Sequence, residues 1–258
     1  MTTTTITFIE NQEQTAWSTK PKDRVLREGE VHVWLANLEL EIYAMPKFLR
    51  DLSLTERTRA QRLQFDHDRR RFVIAKGLLR NLLGSYMGMK PYEIQFTLGP
   101  SGKPEIAQQL QTRHEPIYFN QAHSGHLGMY AFCRSRRVGV DIEEVRPFPD
   151  MDQVAALLFS QHELDGFQKL GDEDRKKIFF DTWTCKEAFV KALGKGLTLP
   201  LNHFELAPAC GTLNRIVQNH DRPLQPSNWF VKKIPVSDHF AAAVCAEGEG
   251  WKLHCSKW

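Results

Sequence analysis

The sequence predicts an α+β fold of two pseudo-symmetric halves, each a long helix packed on a mostly antiparallel sheet. Two observations support this. A long helical segment followed by several strand segments occurs twice along the chain. Residues 75–84 also align with residues 185–194, with a lysine, a leucine and a glycine in common. The predicted halves are residues 1–134 and 135–258, and a ligand site is expected at their junction.

The first half begins with a predicted strand over 31–40, followed by a helix over 55–83 that Gly84 would end. Glycine and proline at 99–104 predict a turn. The remaining strands of this half are predicted at 94–98, 117–121 and 127–133.

The second half begins with a strand over 138–143, which the polar residues 134–137 would join to the preceding strand as a hairpin. Two helices are predicted at 152–170 and 174–193, with Gly194 as a stop signal. A loop is expected over 208–226. Strands are predicted at 204–206, 229–234, 239–245 and 251–254.

Two carboxylates lie on one face of the strand over 138–143. Successive side chains of a strand point to opposite faces, so the three β-branched residues share one face. Asp141 and Glu143 therefore project together from the other face, with Gly139 beside them.

A third carboxylate interrupts an apolar helical stripe. Phe180, Trp183 and Val190 recur at helical spacing, and Glu187 lies in the same stripe. An unpaired buried charge is costly, so this carboxylate needs a partner. Lys191 follows Glu187 by four residues on the same helix face. It would either form an ordinary salt bridge with Glu187 or have a functional role beside the carboxylates.

These three carboxylates could meet at one point. Like charges about 4 Å apart repel by about 4 kcal/mol at an effective dielectric constant of about 20. A hard divalent cation with oxygen ligands would remove this repulsion, and Mg²⁺ fits the ligand type. The ligands do not distinguish Mg²⁺ from Mn²⁺.

Composition places the chain among ordinary globular proteins, with 41% apolar and 25% charged residues in 258. The net charge of +3 does not indicate nucleic acid, and no apolar run is long enough to span a membrane. Five scattered cysteines and the absence of signal-peptide features predict a cytoplasmic location.

Arginines are concentrated within residues 57–71. They would form either a solvent-exposed helix face or a binding site for a phosphate-rich ligand.

Four segments together resemble the 4′-phosphopantetheinyl transferases, in the larger pseudo-dimeric class that includes the surfactin-synthetase-activating enzyme. The main motifs are Gly139-Val140-Asp141-Ile142-Glu143 and the run from Trp183 to Gly196. The weaker ones are 102–104 and 119–124. Ala122 departs from the pattern, which has a serine there, so a hydroxyl contact to phosphate is missing.

The resemblance implies transfer of the phosphopantetheine arm of coenzyme A to a serine of an apo acyl or peptidyl carrier protein, with release of 3′,5′-ADP. It also implies an active site at the junction of the halves and a monomer with internal pseudo-two-fold symmetry. Asp141, Glu143 and Glu187 match the family's Mg²⁺ ligands.

The other site residues are implied by the same resemblance. Lys186 and Lys191 match lysines near the pyrophosphate, and Glu163 matches a glutamate proposed as general base. A metal-bound water is the alternative base. The coenzyme A nucleotide would be contacted by Arg59, Arg71, Lys103 and His123.

Two other functions use the same residues. A metal-dependent hydrolase of coenzyme A or a related nucleotide would need the carboxylates but no carrier protein. A catalytically inactive binding module would keep the fold, but the intact Asp141, Glu143, Glu187 and Lys191 count against it.

Overall fold

The computed structural model describes residues 17–19, 25–111, 116–194, 196, 199–208, 213–218 and 228–258. These residues divide into two compact units. The first unit comprises residues 17–135 and 252–258, and the second comprises residues 136–251. Within the described residues, no helix is long and apolar enough to cross a membrane.

The described residues of the first unit include the helices α1 Met45–Asp51, α2 Leu54–Gln61, α3 Asp66–Met87 and α4 Gln108–Gln111. Its strands are β1 Glu30–Asn37, β2 Phe96–Leu98, β3 Pro104–Ile106, β4 Ile117–Ser124, β5 Leu127–Arg134 and β11 Lys252–Lys257. Four of them form a sheet in the order β11-β1-β5-β4, in which the β1–β11 pair is parallel and the β1–β5 and β5–β4 pairs are antiparallel. The β2–β3 pair is a separate hairpin.

The core of the first unit lies against α3. Leu78, Leu79 and Leu82 of this helix are fully buried together with Phe132 of β5. Helix α1 packs at Gly77, where a Cβ atom would come within 2.3 Å of Phe48 Cβ. The absent side chain therefore allows the two helices to approach closely.

In the second unit, the part that the structure describes forms α-helices and an antiparallel sheet. The helices are α5 Met151–Leu158, α6 Gln161–Phe167 and α7 Asp172–Leu193. The strands are β6 Val138–Glu144, β7 Phe204–Pro208, β8 Leu213–Gln218, β9 Trp229–Lys233 and β10 Phe240–Glu247. They pair in the order β6-β10-β9-β8-β7. The α+β class with a long helix on a mostly antiparallel sheet is thus confirmed for each unit.

Two long predicted helices are interrupted in the structure. The helix predicted over 55–83 is divided between α2 and α3, because Phe65 is extended at the N-cap of α3. The helix predicted over 152–170 is divided between α5 and α6. Ser160 and Glu163 form a capping box that starts α6, a signal that apolar periodicity alone does not reveal.

The predicted hairpin between β5 and β6 is wrong. Strand β5 pairs with β4 and β1, whereas β6 pairs with β10 in the other sheet. Ser135 between them has a positive φ of 59°, which ends the ladder of β5. The predicted loop over 208–226 contains β8, and α3 ends at Gly88 in the left-handed region rather than at Gly84.

Strand β6 and helix α7 are in unusually close contact. Gly139 faces α7, and a Cβ atom there would lie 2.1 Å from the Ala188 carbonyl oxygen and 2.3 Å from the Ala192 amide nitrogen. Both obstacles are backbone atoms and cannot rotate away. Gly139 therefore sets the distance between the strand and the helix that carry the predicted carboxylates.

We expect Gly139→Ala to destabilise the protein by about 3 kcal/mol or more, because it forces β6 and α7 apart. Urea unfolding measures the change. Gly171→Ala is the control, since its Cβ meets nothing within 4 Å, and it should cost less than about 1 kcal/mol. Equal losses in the two variants would contradict the close-packing interpretation.

Candidate functional site

The predicted carboxylates lie on the two elements joined at Gly139. Asp141 and Glu143 belong to β6, and Glu187 belongs to α7. Asp141 is 1% exposed, whereas Glu143 and Glu187 are partly buried. Phe180 and Val190 of the same helix are buried, as the apolar stripe around Glu187 predicted.

Asp141 uses only one of its two oxygens. Lys191 Nζ lies 2.5 Å from Asp141 Oδ1 and donates a hydrogen bond to it. Asp141 Oδ2 is buried and has no hydrogen-bond partner among the residues that the structure describes. A buried carboxylate oxygen in this state is costly, because its lost hydration is not replaced.

The surroundings of the Asp141 carboxyl favour its neutral, protonated form. Burial raises the pKa of Asp141 to about 7, against the attraction of Lys191 and with the repulsion of Glu143 and Glu187. Burial also raises the pKa of Glu187, which Lys191 opposes and Glu143 reinforces. The three acidic residues are therefore close enough to perturb one another.

The donor set fits a hard cation. Carboxylate oxygens are the ligands that Mg²⁺ prefers, and a cation at Asp141 Oδ2 would satisfy an atom that otherwise lacks a partner. Across the described part of the chain, the oxygens of these three residues do not all lie within 4.8 Å of one another.

Lys186 lies apart from this group, in the interior. Its side chain is fully buried, and Nζ lies 2.5 Å from Glu163 Oε2. The ammonium group also donates to the carbonyl oxygens of Leu158, Leu201 and Phe204 at 2.8–2.9 Å. Burial lowers the pKa of Lys186, and Glu163 opposes this shift. One lysine thus ties α7 to the end of α5 and the start of β7.

Both oxygens of Glu163 accept hydrogen bonds. Oε2 accepts from the Ser160 backbone N–H at 2.9 Å as well as from Lys186, and Oε1 accepts from the Leu206 N–H at 3.1 Å. Ser160 Oγ in turn donates to Glu205 Oε2 at 3.0 Å. This network, including Ser160 and Glu205, was not found from the sequence, although the S-x-x-E capping pattern could have indicated it.

The predicted nucleotide contacts all lie in the first unit. Arg59 on α2 is exposed and its guanidinium lies 5.4 Å from the centre of the Phe72 ring. Arg71 on α3 bonds Glu39 Oε1 through Nη2 at 2.5 Å. Lys103 lies in the β2–β3 turn, and His123 is exposed on β4.

Two protein-family models match this chain. A family model described as "4′-phosphopantetheinyl transferase superfamily" matches residues 137–245. A second model, described as "4′-phosphopantetheinyl transferase, N-terminal", matches residues 44–134.

Several curated proteins are similar over most of the chain. The 4′-phosphopantetheinyl transferase HetI of Nostoc sp. is 33% identical over 93% of this chain and 97% of its own length. A putative 4′-phosphopantetheinyl transferase, slr0495 of Synechocystis sp., is 36% identical over 66% of this chain and 67% of its own. Sfp of Bacillus subtilis is 28% identical over 78% of this chain and 84% of its own.

The burial of Asp141 has a measurable effect on stability in cation-free protein. Its carboxyl titrates near 7 when folded, against a usual value of 3.8, so the folded state holds the proton more tightly. Stability from this group is complete below about pH 4 and is lost as the pH rises towards 7. We expect wild type to lose about 2–4 kcal/mol relative to Asp141→Asn between pH 4 and pH 8.

Urea unfolding of both proteins in a chelator, across this pH range, measures the difference. If the free energies of unfolding of the two proteins changed in parallel with pH, the Asp141 carboxyl would not have the raised pKa that its burial produces.

Proposed function

Because this chain belongs to the larger class of the 4′-phosphopantetheinyl transferase superfamily, we propose that Asp141, Glu143 and Glu187 hold the divalent cation of its active site. The chain is an enzyme that transfers phosphopantetheine to carrier proteins. Coenzyme A is the substrate of this family. The alternative of a coenzyme A hydrolase has no support among the relatives, which are named as transferases.

The observation that carries the cation proposal is the unpaired Oδ2 of buried Asp141. A buried polar atom without a hydrogen-bond partner costs free energy, so it is expected where a bound ligand supplies the missing contact. Mg²⁺ matches the oxygen ligands, and Mn²⁺ is an acceptable substitute. When bound, the cation would neutralise charge that develops on the pyrophosphate of coenzyme A.

Lys191 supplies a positive charge in direct contact with Asp141. Its side chain is one-third exposed, so the ammonium group can reach a phosphate while remaining bonded to Asp141. We propose that Lys191 stabilises the leaving 3′,5′-ADP as the carrier serine attacks phosphorus. The same ion pair favours the ionised form of Asp141, although burial has the larger effect and raises the pKa of this carboxyl.

Lys186 and Glu163 support the site from the interior. The Glu163 side chain is 11% exposed and both of its oxygens accept hydrogen bonds from interior groups, and Lys186 is fully buried. We propose that this pair positions α7, and hence Glu187 and Lys191, rather than touching the substrate. This leaves a base other than Glu163 to take the serine proton.

Arg59, Arg71, Lys103 and His123 are proposed as contacts to the nucleotide end of coenzyme A. All four are cationic or can become so, and their positions match the family motifs. The Arg71–Glu39 pair is partly exposed, so Arg71 can exchange this partner for a phosphate at little cost.

Glu187→Gln should reduce the rate of phosphopantetheine transfer by at least about 100-fold, because it removes a cation ligand. The control is Glu144→Gln, at an exposed position next to Glu143 on β6, and it should transfer at the wild-type rate. Mass spectrometry of the carrier protein follows both reactions. A wild-type rate in Glu187→Gln would refute the cation assignment.

Lys186→Met should destabilise the protein by about 3–5 kcal/mol, because Glu163 is left buried without its partner. The double variant Lys186→Met with Glu163→Leu should recover part of this loss. Urea unfolding measures both changes.

Glu163→Gln distinguishes positioning from general-base catalysis. We expect this variant to keep transfer activity within about tenfold of wild type, with an unchanged pH–rate profile. Loss of the acidic limb of that profile together with most of the activity would identify Glu163 as the base.

Arg71→Ala should raise the KM for coenzyme A about tenfold while changing kcat less, because it removes binding to a part of the substrate that does not react. Arg70→Ala, at the exposed neighbouring position on α3, serves as the control. Steady-state kinetics measure both variants, and equal KM values for the two would exclude Arg71 from the nucleotide site.

A further inference from the structure

A second group of potential ligands lies on the sheet of the first unit, far along the chain from Asp141. Strands β1 and β11 pair in parallel with His32 directly opposite His254. Glu30 precedes His32 by two residues, so its side chain leaves β1 on the same face. Three side chains from two strands thus converge on one patch of the sheet.

The distances within this group suit a metal ion. His32 Nε2 lies 3.1 Å from Glu30 Oε2, and His254 Nε2 lies 3.8 Å from Glu30 Oε1. One ligand atom from each residue can be chosen so that all three lie within 4.8 Å of one another. Ligands at about 2.0–2.1 Å in a tetrahedral site lie about 3.4 Å apart, so small side-chain rotations would close the site.

The ring of His32 is held by further hydrogen bonds. Its Nδ1 lies 2.9 Å from the hydroxyl of Tyr86 on α3, and Trp34 Nε1 donates to the same hydroxyl at 2.8 Å. These contacts direct Nε2 of His32 towards Glu30. Metal-ligating histidines are typically oriented in this way by a partner on the other ring nitrogen.

Access to the group is open on one side. The His254 side chain is 51% exposed, whereas those of Glu30 and His32 are each 14% exposed. Arg27 Nη1 lies 3.6 Å from Glu30 Oε1, but its side chain is 67% exposed and can move into solvent. An ion could therefore reach the three ligands and displace this weak ion pair.

We propose that Glu30, His32 and His254 form a transition-metal site, filled by Zn²⁺ or a similar divalent ion, with water as the fourth ligand. Two imidazoles and one carboxylate select such ions over Mg²⁺, which prefers oxygen ligands. The site joins β11, at the edge of its sheet, to β1. A bound ion is expected to stabilise the pairing of β11 with β1.

Titration of the full-length, chelator-treated protein with Zn²⁺, with Mg²⁺ in large excess to occupy the carboxylates, tests the proposal. We expect about one Zn²⁺ per chain by calorimetry. At a Zn²⁺ concentration of about 100 times Kd, the unfolding temperature should rise by about 5 °C or more. Co²⁺ should give the visible absorption of a tetrahedral site with nitrogen and oxygen ligands.

The variant His254→Ala changes a half-exposed edge residue and should abolish both Zn²⁺ binding and the thermal shift. It should transfer phosphopantetheine at the wild-type rate. His67→Ala, at another exposed histidine of the first unit, should bind Zn²⁺ as wild type does. Unchanged Zn²⁺ binding in His254→Ala, or no binding by wild type in excess Mg²⁺, would overturn the proposal.

Discussion

The burial of Asp141 against helix α7 is the constraint on which the rest of the site depends. Gly139 lets β6 lie so close to α7 that a single added methyl group would meet backbone atoms. This contact places Asp141 in the interior, where Lys191 satisfies one of its oxygens. The other oxygen has no partner among the described residues, and the raised pKa reflects the same burial. A cation would relieve the strain that folding creates here.

Lys186 and Lys191 of helix α7 have different physical roles. Lys191 is partly exposed beside the carboxylates, whereas Lys186 is fully buried and bonded to Glu163 and three carbonyl oxygens. A buried ion pair of this kind contributes little net stability, but removing one partner is costly. Such a pair fixes the position of the helix. The residues that face the substrate can then depend on a rigid support.

The sequence was informative where periodicity and motif coincide. Alternation in β6 placed Asp141 and Glu143 together, and the interrupted apolar stripe identified Glu187. The Lys186–Glu163 bond was not foreseen, because it joins residues 23 positions apart through tertiary packing. The break at Ser160 depended on a local cap that competes with apolar periodicity. The pairing of β6 with β10 depended on long-range contacts that no local pattern specifies.

The most direct test of the central claim is intact mass spectrometry of an apo carrier protein incubated with this enzyme and coenzyme A. One sample contains a chelator, and a second receives Mg²⁺ in excess of it. We expect the carrier to gain the mass of one phosphopantetheine arm with Mg²⁺ and none with the chelator alone. An equal gain in both samples would contradict the assignment of Asp141, Glu143 and Glu187 to a cation required for transfer.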